Sequence, residues 1–192
     1  LANITALPSS ISGGGMTLLA TQTASGSANL SFTSGIDDTY DSYVFKFYDI
    51  HPASNTVNFQ INASTDGGSN YNATKTTTYF LAYHTENDSG YALQYYANRD
   101  LAQSTSAQQI VTIGNANDDS ASGTLTLYNP SSTTFVKHFL SRQQAPTGEA
   151  TQNCKDTYVA GYFNTTSAIN AVQFTMSSGN IDSGVIKLYG VS

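Results

Sequence analysis

Along most of the chain, apolar and polar residues alternate one for one. In Val57-Asn58-Phe59-Gln60-Ile61-Asn62-Ala63 every second side chain is apolar and the residues between are amides or Gln. A period of two puts one set on each face of a pleated strand, so this segment predicts a half-buried β-strand. Tyr43-Val44-Phe45-Lys46-Phe47 and Val172-Gln173-Phe174-Thr175-Met176 repeat the scheme, with aromatic side chains on the face opposite Lys46 and Gln173. Further strands are predicted at 16–22, 29–32, 77–84, 109–113, 123–128, 133–140, 157–163 and 185–191. Turn chemistry separates them: Asp66-Gly67-Gly68, Asn129-Pro130, Ser178-Gly179-Asn180 and Ser183-Gly184 tolerate positive φ or end a ladder. Eleven short strands with frequent turns predict an all-β fold, an antiparallel β-sandwich of jelly-roll-like form. A short helix or helical turn is predicted only within 95–106.

The start of the chain breaks the pattern. Residues 1–15 hold spaced aliphatics, Ile4, Leu7 and Ile11, followed by Gly13-Gly14-Gly15. They read as an extended N-terminal arm and a glycine-rich hinge, with the sandwich domain spanning 16–192. Ile4, Leu7 and Ile11 are the residues through which such an arm would dock on a neighbouring chain. The chain opens with Leu1, which reads as a fragment or a processed product.

Composition sharpens this picture. Charged residues make up 10% of the 192 positions, against about 25% in ordinary globular chains. Ser, Thr and Asn, roughly a third of the residues, supply solubility instead. Seven basic residues are scattered singly and the net charge is −6. A nucleic-acid partner needs a basic stripe to neutralise phosphates, and this chain has none. No apolar run is long enough for a membrane helix, so membrane insertion is not expected. The single cysteine, Cys154, allows no intrachain disulfide and reads as a small, partly buried residue.

Candidate chemistry is sparse. A nucleophile elbow, a zinc-binding His-Glu-x-x-His helix and a phosphate loop are all absent. His51, His84 and His138 are far apart in sequence and read as surface or core residues. Asp37, Asp38 and Asp41 form one acidic cluster, and Asp118 and Asp119 another. Paired carboxylates could cleave a glycosidic bond, yet both clusters sit among Ser, Gly and Asn, where aspartate braces solvated turns. The oxygen ligands of 115–119 lack the spacing of a calcium loop. A hydrolase built on Cys154 and a histidine would have to be assembled in space. No metal or cofactor is expected. Tyr91, Tyr95 and Tyr96 form a candidate platform for sugar rings, since aromatic faces pack on apolar C–H surface.

Three stretches together carry a resemblance. They are Phe32-Thr33-Ser34-Gly35-Ile36-Asp37-Asp38-Thr39-Tyr40-Asp41, leading into a strand that closes with Asp49-Ile50-His51-Pro52; Tyr128-Asn129-Pro130-Ser131-Ser132; and 178–190. Over roughly 16–192 the chain resembles structural proteins of tailed phages, marine ones especially, found in fibres and other surface appendages. The segment 4–10 is similar to those that precede terminal domains of phage fibre proteins. The resemblance implies a non-enzymatic C-terminal domain of a head fibre, capsid decoration or tail fibre on the virion surface. It further implies a homotrimer that contacts other virion proteins and attaches to a host-surface glycan. It carries no catalytic residues. Two other readings stand beside it: a carbohydrate-binding or adhesion module of a cellular protein, and a glycan depolymerase acting through an acidic cluster.

Overall fold

The computed structural model describes residues 15–147 and 152–192. Twelve strands are formed among them: β1 Thr17–Thr23, β2 Asn29–Phe32, β3 Ser42–Pro52, β4 Val57–Ser64, β5 Lys75–Thr85, β6 Tyr91–Tyr95, β7 Gln108–Ile113, β8 Ala121–Tyr128, β9 Lys137–Thr147, β10 Asn153–Phe163, β11 Ala171–Met176 and β12 Ile181–Val191. All pairings are antiparallel. They build an eight-stranded sheet, β1-β12-β3-β8-β9-β10-β5-β6, and a four-stranded sheet, β2-β11-β4-β7.

The order is a nested one. β1-β12-β3-β8 lies opposite β2-β11-β4-β7, and the chain steps between sheets at β1–β2, β2–β3, β3–β4, β4–β5, β6–β7, β7–β8, β10–β11 and β11–β12. This is the wrapped path of a jelly roll, in which each strand pairs with a partner distant in sequence. The β-sandwich predicted from alternation is therefore the fold. Two hairpins are added to it. β5–β6 interrupts the β4–β7 connection and β9–β10 the β8–β11 connection, and the two meet through β10 and β5. Together they extend the larger sheet by four strands beyond β8.

The core forms where inward faces meet. Tyr43, Phe45 and Phe47 of β3 are at most 1% exposed, whereas Lys46 turns outward over the Tyr189 ring. Phe174 of β11 is the hub of an aromatic cluster, with ring centroids 5.1 Å from Phe47, 5.2 Å from Phe45 and 5.7 Å from Phe59. Most of these contacts are edge-to-face, the arrangement that ring quadrupoles favour.

Beneath the added hairpins the inner face changes character. Lys75, Thr77, Gln108, Lys137, Ser141, Gln143 and Thr157 are all buried. Lys75 Nζ donates to Ser106 O at 2.7 Å and Lys137 Nζ to Thr165 O at 2.9 Å. Both lysines pair in register with Phe163, so Lys137, Phe163 and Lys75 form one buried row across three strands. Burial lowers both ammonium pKa values, that of Lys75 to about 8.

Several sequence expectations are corrected. The strand predicted at 133–140 starts only at Lys137 and runs to Thr147. Positions 129–136 instead form a turn in which Ser132 Oγ accepts from Thr134 N and Phe135 N. The alternation pattern does not mark the second half of β9, because Ser141 and Gln143 face inward, where apolar groups are expected. β10 and β12 likewise begin earlier, at Asn153 and Ile181. Ser183-Gly184 is no turn but a double irregularity within β12, where Gly184 at φ 119° lies against Asp49 O and Ile50. β6 lies outside the strands expected from the pattern, and the short helix or helical turn expected in 95–106 is one 3₁₀ turn, Ala97–Arg99. Cys154 is exposed, because alternation along β10 sends it outward with Asp156 and Tyr158. Ile4, Leu7 and Ile11, with the proposed arm, lie outside the described residues.

Candidate interaction surface

The larger sheet has an inner face over the core and an outer face to solvent. On β9, β10, β5 and β6 the outward positions are rich in aromatic and aliphatic groups. Arg142, Tyr158, Phe80 and Tyr95 stand side by side in one cross-strand row. The Phe80 and Tyr158 rings stack with centroids 4.9 Å apart at 3°, and the Arg142 guanidinium covers Tyr158 at 5.0 Å. Arg142 is fixed in turn by Asp156, through Nη2–Oδ2 at 2.7 Å and Nε–Oδ1 at 3.0 Å. That bidentate bond holds the Asp156 carboxyl below its ordinary pKa. The Tyr158 phenol is pushed up, first by burial and then by its hydrogen bond to Asp156.

The next row is lower, with Leu140 and Ala160 paired across β9 and β10. The drop leaves a depression of about 390 Å³ beside the ring stack, lined by Phe80, Thr126, Tyr128, Leu140, Tyr158 and Ala160. A second, of about 360 Å³, continues it toward His138, Tyr162, Thr76 and Thr78. Ring edges, threonine hydroxyls and one guanidinium make up this surface.

The tyrosine trio is divided. Tyr91 and Tyr95 share the outer face of β6 with Leu93, at 75%, 62% and 74% exposure. Tyr96 leaves the strand in the opposite sense: its ring meets the buried Tyr79 edge-on and lies 4.5 Å from the Arg99 guanidinium. Strand alternation could have foretold this, because 95 and 96 cannot share a face. The same rule applied to Tyr158-Val159-Ala160-Gly161-Tyr162 marks Tyr158 and Tyr162 as co-facial with Ala160. Which strands lie beside them is a property of the sheet.

The other candidates stay apart. His51 Nδ1 lies 2.6 Å from Asp119 O, His84 bonds Asp88 at 3.0 Å, and His138 is tilted against Tyr162. Among the described residues, no group of three or more His, Cys, Asp and Glu is placed to hold a metal. Register sets Cys154 opposite His84, but the pair lies on an exposed surface, and the Cys154 Sγ is 3.9 Å from Gln144 Nε2. Asp37 braces its turn by accepting from Thr39 N at 2.9 Å and from Tyr43 Oη at 3.0 Å. Asp119 departs from the solvated turn expected for it: it is 1% exposed and accepts from Ala116 N and Gln152 Nε2.

The stretches that carry the phage resemblance meet as braces. Asn129 N donates to Asp41 O at 2.8 Å and Ser131 Oγ to Asp37 O at 2.6 Å, at the end where β3 begins. Where β3 ends, Ala53 N donates to Asn180 O at 3.0 Å. Comparison with protein-family models, with curated proteins and with solved structures finds no match for this chain.

Proposed function

We propose that this chain is a non-enzymatic structural domain of a tailed-phage particle, carried on an outer appendage such as a head fibre, capsid decoration or tail fibre. It works there as a homo-oligomer beside other virion proteins and turns its outer sheet face toward the host surface. The observation that carries the reading is the position of the resembling stretches. They brace the two ends of β3, which supports reading what the resemblance covers as a scaffold. The rest of the reading accords with this. A charge-poor, hydroxyl-rich surface on long antiparallel ladders stays soluble while offering few extended segments to proteases. Mass spectrometry of purified virions, with gold-labelled antibody to place the chain, tests the proposal. Peptides of this chain in the particle are expected, and their absence from intact virions refutes it.

The second reading, a carbohydrate-binding or adhesion module, is favoured by the exposed rings of Tyr91 and Tyr95. It expects glycan-array binding that falls when both are changed to Ala. A blank array removes it.

A further inference from the structure

A sheet edge exposes unpaired N–H and C=O groups, and proteins blunt such edges to prevent pairing with other chains. Among the described strands, β1, β6, β2 and β7 stand at edges. β1 carries a bulge between Leu18 and Ala20, β2 has four residues, and β7 packs beside β9 and β10. β6 has none of these protections. Tyr91-Ala92-Leu93-Gln94-Tyr95 contains no charge, proline or bulge, and its three large side chains are the most exposed tyrosines and leucine of the outer face.

Its hydrogen bonding can be followed residue by residue. Tyr96 N donates to Tyr79 O and Gly90 O accepts from Thr85 N, so even-numbered positions of this strand face β5. Alternation then turns the N–H and C=O of Tyr91, Leu93 and Tyr95 away from the sheet. We propose that β6 pairs antiparallel with β6 of a second copy of this chain, about a two-fold axis at Leu93. That register sets Leu93 against Leu93 and Tyr91 against Tyr95 of the second copy. All three pairs are then of the hydrogen-bonded kind, two bonds each, and no outward group of the strand is left over.

A second copy suits this edge better than a glycan does. The strand is complementary to itself, and Leu93, between the tyrosines, offers a sugar nothing to bond. The strand itself carries no charged side chain, although the chain carries −6. Close to it, Asp156 is paired with Arg142, Asp88 is hydrogen-bonded with His84, and Asp100 accepts from Tyr79 N and Tyr95 Oη. A five-residue pairing buries on the order of half the ~800 Å² per partner of a stable dimer. Association is therefore reversible in dilute solution and takes hold where copies are crowded, as on an array.

The test combines sedimentation with residue-resolved amide exchange from low micromolar to millimolar protein. Mass is expected to double with concentration. Protection is expected to rise at the Tyr91, Leu93 and Tyr95 amides but not at Ala92 and Gln94, which already face β5. Leu93→Lys and Leu93→Glu should each weaken association about tenfold or more, and mixing the two should restore it, which also shows that both variants are folded. Removing residues 1–15 should leave the doubling intact. Constant mass with unprotected edge amides overturns the proposal, as does doubling that survives Leu93→Lys. Absence of the chain from virions would refute the appendage reading and leave this pairing untouched.

Discussion

Lys75 gives the sharpest link between this fold and a measurement. Its side chain is fully buried, its ammonium donates to Ser106 O, and it lies 5.7 Å from the centre of the Phe163 ring. Neither the Arg142–Asp156 ion pair nor the His84–Asp88 hydrogen bond includes it. Desolvation with no compensating carboxylate disfavours the charged form and lowers the pKa to about 8. In the unfolded chain the same lysine titrates near 10.4. Between these values the unfolded state binds more protons than the folded one, so stability rises with pH across that window. The rise from pH 7 to pH 9.5 amounts to about 2 kcal/mol for a shift of this size. Replacing Lys75 with Met keeps much of the volume and removes the titration, while leaving Ser106 O without its donor. Urea unfolding of both proteins across that range, read as the difference between the two curves, isolates the lysine. The wild type is expected to gain on Lys75→Met as pH rises. A flat difference, or one of opposite sign, would refute the claim that a buried cation sits under the added hairpins.

Two further outcomes follow from the packing and the turns. Phe174→Ala empties the centre of the aromatic cluster and should cost about 3–5 kcal/mol in chemical denaturation; a loss below about 1 kcal/mol would mean that the sheets close over the gap. Asp66 takes bonds from Ser64 Oγ and from Asn70 N and Nδ2, which lower its pKa to about 2. The slope has the same sign as for Lys75, because both folded-state pKa values are lowered: the Asp66 contribution is complete above the unfolded value near 3.9 and disappears as pH falls through about 2. Wild-type stability relative to Asp66→Asn should decline through that acid window, and parallel curves would count against the turn network.

The alternation in Val57–Ala63 or Val172–Met176 suffices to name a strand and its buried face, because the period of two is set by backbone geometry alone. Turns such as Asp66-Gly67-Gly68 are equally local, since positive φ at Gly67 and Gly68 is a cost that other residues would bear. Partner choice is not local. Ladder hydrogen bonds join backbone groups that every residue possesses, so nothing in 17–23 announces that it pairs with 181–191, near the far end of the chain. The two hairpins that meet through β10 and β5 are likewise decided in three dimensions, and with them the outer face. Tyr158 finds Phe80, and Arg142 covers Tyr158, only once β9, β10 and β5 lie side by side. Buried polar positions were the hardest to read. Lys75, Lys137 and Gln143 sit on strand faces where a sequence pattern expects oil, and each is tolerated because a backbone oxygen from another segment (Ser106, Thr165 and Thr124) comes within reach. Sequence settles which face a side chain takes on its own strand; tertiary structure settles what that face meets, because contacts between strands depend on a register that backbone chemistry alone does not encode.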